Sequence, residues 1–401
     1  MSDVRARLSE FVAQIGHLYV HLTMALYPVV VLGLEPVFNL SFGELLVLMT
    51  LGNLLFGLGS LPAGWLADRW SAPGMMVVFY AGMGAGAVYT GLATSPREIA
   101  AGLAVTGLFA SIYHPVGMAW LVRTATNRAR ALGVNGVYGS IGLAAAGLVA
   151  GWLTDAVSWR AAFIVPGVLS LATGAVLLVL IRGGLVTSRA VALVEDAPVQ
   201  RDAVIRVFVV LSITMLGTGI LWSAFNAVMP KLFAERVPGL SGGTAAGAGT
   251  LVSIAYVGAG LAQYAGGHIA ERFRLRSAYL LLFAVQVPLL ALVAVAAGGA
   301  LYGVMIAALL CSTLAVPVEN SLLSRYSADR WRATLFGVKF VLSAGMSAAG
   351  VAMVGIMRDR TGDFQALFVV LALISATIVA VALFLPREDR HPVVRADPAR
   401  A

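Results

Sequence analysis

The chain has 401 residues, 60% of them hydrophobic and 11% charged, where a soluble domain is about half apolar and about a quarter charged. So few charges cannot cover a water-soluble surface, which points to a polytopic membrane protein. The net charge of +8 does not argue for nucleic acid, because the basic residues fall in short loops between apolar runs.

A membrane-spanning helix needs roughly 20 mainly apolar residues. The pattern predicts twelve. The first six run about 11–34, 43–67, 73–94, 98–123, 130–154 and 160–181. The second six run about 205–229, 245–270, 277–298, 300–324, 332–357 and 364–385. No cleavable leader is expected, since the N-terminus is short and polar and the first apolar run is long enough to stay in the membrane. The expected fold is therefore an all-α membrane protein with twelve transmembrane helices in two pseudo-symmetric six-helix bundles, 11–181 and 205–385. A polar cytoplasmic linker at 182–204 joins them, and a charged cytoplasmic tail follows at 386–401.

Most Lys and Arg residues, among them Arg5, Arg7, Arg69, Arg123, Arg182, Arg272, Arg325 and Arg387, fall on one face if both termini share it. The other face holds Arg97, Arg160, Lys231, Arg236, Arg358 and Arg360. The excess marks the first face as cytoplasmic, so an integral protein of the plasma (cytoplasmic) membrane with both termini inside is expected. Glu35 and Glu44 fall in the outer loop and are expected to stay in water. Trp65, Trp70 and Trp152 lie near span ends and read as interfacial anchors. Cys311, the single cysteine, excludes an intrachain disulfide and reads as a packing residue.

The two halves carry echoes of each other. Gly64, Asp68 and Arg69 at the end of the second span recur as Gly267, Glu271 and Arg272, 203 positions later. Pro115 and Arg123 recur as Pro317 and Arg325 at 202, and Gly133 and Asp155 as Gly337 and Asp359 at 204. A near-constant offset across three helix pairs indicates a parallel six-plus-six repeat.

With its Gly64-x-x-x-Asp68-Arg69 stretch, the echo at Gly267 to Arg272, the six-plus-six layout and Trp159-Arg160-Ala161-Ala162-Phe163, the chain resembles the major facilitator superfamily over roughly 11 to 385. Tyr113-His114-Pro115-Val116-Gly117 is similar to the fosmidomycin-resistance type of efflux protein. The signature is shorter than the family's, continuing Trp70-Ser71-Ala72-Pro73-Gly74 where glycine and further basic residues are usual. The fifth span has the glycines of the antiporter motif, Gly136, Gly139 and Gly142, without its proline. The resemblance implies a gate: Asp68 can accept hydrogen bonds from a neighbouring helix N-terminus, and Arg69 can pair with a carboxylate. Gly64, Asp68, Arg69, Gly267, Glu271 and Arg272 are the expected gating set.

The resemblance also implies that the first, fourth, seventh and tenth helices line a central cavity. His17 and His21 are four apart and share a helix face. His114 precedes Arg123 by nine residues, about 13 Å of helix, which places it near mid-membrane. Histidines on an aqueous path suit proton coupling or anion binding; the alternative is a neutral histidine bonded to a neighbouring helix. Glu319 and Lys339 should sit at similar depth, where a lone charge is costly and pairing lowers the cost. His17, His21, His114, Glu319 and Lys339 are thus the candidate substrate and proton-coupling residues, with an ion pair of structural use as the other reading of the last two. Tyr19, Tyr113, Trp222, Asn226, Asn320, Asn53 and Gln263 read mainly as interhelical contacts. Three histidines can make a zinc site, but no carboxylate accompanies them at close spacing, so no metal and no cofactor is expected.

No nucleotide-binding loop, hydrolase elbow or zinc-protease pattern is present, so an enzyme is not expected. What remains is a secondary transporter working by alternating access, with a small-molecule substrate, protons and the lipid bilayer as partners and a monomer as the working unit. Export coupled to proton entry is the preferred reading. Uptake of a small organic anion by proton symport and a non-transporting membrane receptor or scaffold are the alternatives.

Overall fold

In lipid every backbone N–H and C=O must be satisfied within the segment, so apolar runs of this length close into helices. The computed structural model describes residues 2–125, 127–186, 201–326 and 338–386, and no β-strand occurs among them. The linker beyond 186, the tail beyond 386, residues 332–337 of the expected eleventh span and the Asp68 side chain lie outside the described residues. Among the described residues twelve helices are long and apolar enough to span: α1 Val4–Phe38, α2 Phe42–Ala67, α3 Ala72–Leu92, α4 Pro96–Thr124, α5 Arg130–Ala156, α6 Ala161–Arg182, α7 Ile205–Arg236, α8 Ala245–Arg272, α9 Leu275–Val295, α10 Gly298–Arg325, α11 Val338–Thr361 and α12 Gln365–Ala382.

Local chemistry sets the ends. Ser41 and Glu44 form a reciprocal capping box before α2, and Ser71, Ser95 and Thr244 cap α3, α4 and α8 with their hydroxyls. Such caps satisfy amides that have no partner inside the helix. Two expected ends are overrun. The helix of α1 continues through Pro28 and Pro36 to Phe38, and that of α7 through Pro230 to Arg236. The last turns are tied laterally instead: Lys231 on α7 meets Glu35 on α1 at 2.6 Å and Glu235 one turn on at 3.5 Å. Glu35 is therefore an ion-pair partner inside a helix and not a loop residue in water. Arg358 on α11 extends the group, 2.8 Å from Glu235.

Helix packing repeats with a step of six. α1 packs on α5 as α7 does on α11, α2 on α4 as α8 on α10, and α3 on α4 and α6 as α9 on α10 and α12. The closest contacts between the sets are α5 with α8 and α2 with α11, and α1 also touches α7 and α8. The α5–α8 crossing is close because Gly147 and Gly249 face each other, and a Cβ on either would meet the other's backbone. Small residues that let backbones approach are how membrane helices gain packing energy. Buried polar bonds add to it. The Tyr27 hydroxyl donates to Leu45 O at 2.7 Å, Tyr80 to Val12 O at 2.7 Å and Gln286 Nε2 to Ala308 O at 2.8 Å. Each is worth about 0.6 kcal/mol in a membrane. Large apolar side chains such as Leu261, Leu281 and Leu373 point outward, as a lipid-facing surface requires.

Candidate functional site

Between α1, α2, α4, α5, α7, α9, α10 and α11 lies a central cavity of about 280 Å³. Three further helices, α2, α5 and α11, thus join the four that the resemblance implies, together with Phe283 of α9. His21 and His114 form part of one wall, Glu319 and Lys339 part of another.

The histidine wall depends on an irregularity that the apolar pattern does not announce. Helix α4 widens into a π turn at Tyr113–Gly117, a form that concentrates at functional sites. Pro115 explains it: with no N–H, it cannot bond the carbonyl four residues back. That carbonyl, Ser111 O, is met by the Ser60 hydroxyl of α2 at 3.2 Å. The widened turn directs His114 between Phe340 (ring centroids 4.4 Å) and Phe56 (6.0 Å). It also brings His114 to 5.5 Å from the His17 ring and 5.7 Å from the His21 ring.

Behind this wall, His17 stacks on Tyr113 at 5.0 Å and 13°. His17 Nδ1 lies 2.6 Å from the Asn135 carbonyl on α5, and the Tyr113 hydroxyl donates to Asn135 Oδ1 at 2.8 Å. The ring fits there because position 139 is glycine; a Cβ would stand 2.6 Å from His17 Cε1. His17 and His21 meet Nε2 to Nε2 at 3.1 Å.

Opposite, Lys339 Nζ lies 2.6 Å from Glu319 Oε1 and donates to Asn320 Oδ1 at 2.6 Å. The Tyr279 hydroxyl of α9 donates to Glu319 Oε2 at 2.8 Å. Glu319 is 4% exposed, so its charge is held by these two partners and not by bulk water. The structure thus brings Glu319 and Lys339 together, and separately His17, His21 and His114. Sequence reasoning passed over two contributors. Nothing in the sequence singles out Tyr279, and Asn53 reads there mainly as an interhelical contact. Asn53 lines the cavity, and its Nδ2 is buried with no hydrogen-bond partner among the described residues.

The expected gating residues sit apart from the cavity. Gly64 lies in the last turn of α2 and Arg69 just beyond it, exposed, bonded back to Trp65 O at 3.2 Å and stacked 4.0 Å over the Trp65 ring. Gly267, Glu271 and Arg272 end α8, and Glu271 and Arg272 are exposed. At the opposite end of the molecule, polar contacts join the two helix sets. Asp359 on α11 accepts the Ser41 hydroxyl at 2.6 Å and the Gly43 amide at 3.1 Å before and within α2. Asp155 on α5 accepts the Ala246 amide of α8 at 2.7 Å.

Twelve apolar helices around a central cavity with a buried ion pair define the class: a polytopic membrane transporter. The chain belongs to the Major Facilitator Superfamily, whose family model matches residues 15–351; it is a transporter of small molecules and not an enzyme. No curated protein sequence gives a significant match. Among solved structures, the chain is similar to a bacterial homologue of the human lysosomal transporter Spinster. The inward-facing unoccupied form has a TM-score of 0.71 and 15% identity, covering 95% of each chain. The inward-facing occupied form has a TM-score of 0.73 and 14% identity, covering 95% of this chain and 94% of that one. The transporter FucP in its outward conformation has a TM-score of 0.63 and 15% identity, covering 94% of this chain and 99% of that one. At these identities the likeness is one of fold.

Proposed function

We propose that the protein is a proton-coupled exporter of a small molecule, working by alternating access in the plasma membrane as a monomer. The observation that carries the reading is the Glu319–Lys339 pair on the cavity wall. With Glu319 ionised, the pair is neutral and Tyr279 and Asn320 complete it. A proton on Glu319 removes the negative partner and leaves the Lys339 charge alone in a poorly hydrated site, which is costly. A proton and a solute that needs the ionised pair therefore exclude each other, and that competition is what antiport requires. His21 and His114 supply polar contacts on the facing wall.

The two helix sets, 11–181 and 205–385, would rock about the cavity. The end carrying Arg69 and Arg272 is assigned to the cytoplasm by the basic-residue excess. Asp155 and Asp359 then latch the outer end, which supports an inward-facing state. Gly64, Asp68, Arg69, Gly267, Glu271 and Arg272 would meet their partners when the inner end closes. The similarity of Tyr113 to Gly117 to fosmidomycin-resistance proteins favours export. Uptake of a small organic anion is the second reading, favoured by Lys339 Nζ: a proton on Glu319 would free the ammonium for an anionic group.

The test is transport in proteoliposomes across a panel of drugs, sugars and organic acids, with and without an imposed proton gradient. Export predicts uphill movement against inward proton flow. Equilibration indifferent to the gradient would sink proton coupling, and co-directional movement of anion and proton would select the second reading.

A further inference from the structure

We infer that His17, His21 and His114 form a binding site for a borderline divalent transition-metal ion, typified by Zn2+, with one coordination position open to the central cavity. The three residues come from two helices, and one ligand atom from each lies within 4.8 Å of the other two. Zinc takes imidazole nitrogens at about 2.0–2.1 Å, so two ligands on a tetrahedral ion stand about 3.3 Å apart. The His17 and His21 Nε2 atoms already stand 3.1 Å apart. Rotation about χ2, a broad torsion for histidine, brings the His114 ring in from its edge-on position.

The arrangement behind the ligands is what a metal needs. A metal-bound imidazole almost always donates its other N–H to a carbonyl or carboxylate, which fixes the tautomer and raises the basicity of the ligating nitrogen. The Asn135 carbonyl can only accept, so His17 carries its proton on Nδ1 and directs a bare Nε2 lone pair at His21. Stacking on Tyr113 and the absent side chain at Gly139 hold the ring in that pose. In the empty site His21 Nε2–H bridges to His17. An entering ion replaces that shared proton, and His21 needs only to pass to its Nδ1–H tautomer. All three imidazoles stay neutral, the form that binds metal.

Two features say which ion and what completes the shell. Neutral imidazoles select zinc, copper or nickel over magnesium or calcium, which want oxygen. His21 and His114 line the cavity, so three protein ligands leave the fourth position facing it. Three-ligand sites of this kind keep an exchangeable position. Phe56 and Phe340 pack against His114 and keep bulk water from that ring. The Glu319 carboxylate is taken by Lys339 and Tyr279, so the fourth ligand comes from the cavity contents, as water or as the anionic group of a chelating solute. This departs from the expectation drawn from sequence, where the lack of a neighbouring carboxylate argued against a metal.

The test uses the full chain in detergent, purified through a tag without histidine and stripped with a chelator. Zn2+ is then titrated by calorimetry and counted by elemental mass spectrometry, and Co2+ is added as a spectroscopic probe. One ion per chain is expected, with the strong visible bands of four-coordinate Co2+. His21→Ala and His114→Gln should each weaken binding more than about tenfold, while His268→Ala, at the exposed end of α8, should leave it unchanged. If His21→Ala does not fold, His114→Gln together with a Zn2+-dependent rise in the wild-type Tm carries the result. No bound ion, an ion retained by both variants, or the weak spectrum of six-coordinate Co2+ would overturn the site. Binding is read without a membrane or gradient, so its failure leaves the transport reading standing.

Discussion

Asp155 and Asp359, 204 positions apart in the chain, do the same thing at one end of the molecule: each caps the first turn of a helix in the other six-helix set. Asp155 accepts from Ala246 of α8, and Asp359 accepts from Gly43 of α2 and from the Ser41 hydroxyl. A carboxylate at a helix N-terminus meets unpaired amides and the positive end of the dipole. Both contacts must break if this end of the transporter opens.

Asp155→Ala and Asp359→Ala should therefore shift the equilibrium towards the form open at this end. A cap is worth about 1 kcal/mol, so each substitution should change the population ratio roughly fivefold. Spin-label distances between α2 and α11, in a Cys311→Ala background, measure it. Unchanged distance distributions in the double variant would show that the latches do not set the equilibrium.

Breaking the cavity ion pair should be worse than removing it. Glu319→Gln leaves Lys339 as an unpaired charge, and Lys339→Met leaves Glu319 so; either should cost about 3–5 kcal/mol. The double variant should recover most of the Tm while still losing gradient-driven flux. Equal damage in the double and the singles would remove the case for a simple pair.

The π turn makes a sharper prediction. Pro115→Ala restores an N–H for the Ser111 carbonyl and lets α4 close into a regular helix. This should turn His114 away from His17 and His21, lowering transport at least about tenfold with little loss of Tm. Ser60→Ala, which strips the Ser111 carbonyl of its hydroxyl donor, should cost about 1 kcal/mol. A Pro115→Ala variant with full transport would show that the bulge is incidental.

At Gly139, any side chain enters the space of the His17 ring. Gly139→Ala should lower stability by about 1–3 kcal/mol through overpacking between α1 and α5 and abolish the His17 contact to Asn135. Thermal unfolding followed by tryptophan fluorescence checks the first, and the Zn2+ titration checks the second. Gly133→Ala, where a Cβ meets nothing within 4 Å among the described residues, is the matched control.

The sequence by itself determined the twelve spans to within a few residues at most ends, the family and the six-helix repeat. A backbone in lipid must bond within its own segment, so apolar length translates directly into helices. It also put Glu319 and Lys339 at matching depth, since depth is residue count multiplied by rise. Only the tertiary structure decided what each candidate touches. The ring of His17 is fixed by a carbonyl 118 positions away, reached because Gly139 leaves room, and His114 comes near it because Pro115 forces a wider turn. Tyr279 and Asn53 became site residues only once α9 and α2 were packed, and Glu35 left its expected loop for an ion pair with Lys231. Periodicity reports which segments enter the membrane. Which polar groups then meet is set by close packing between distant helices, where a missing Cβ or a missing N–H decides a contact.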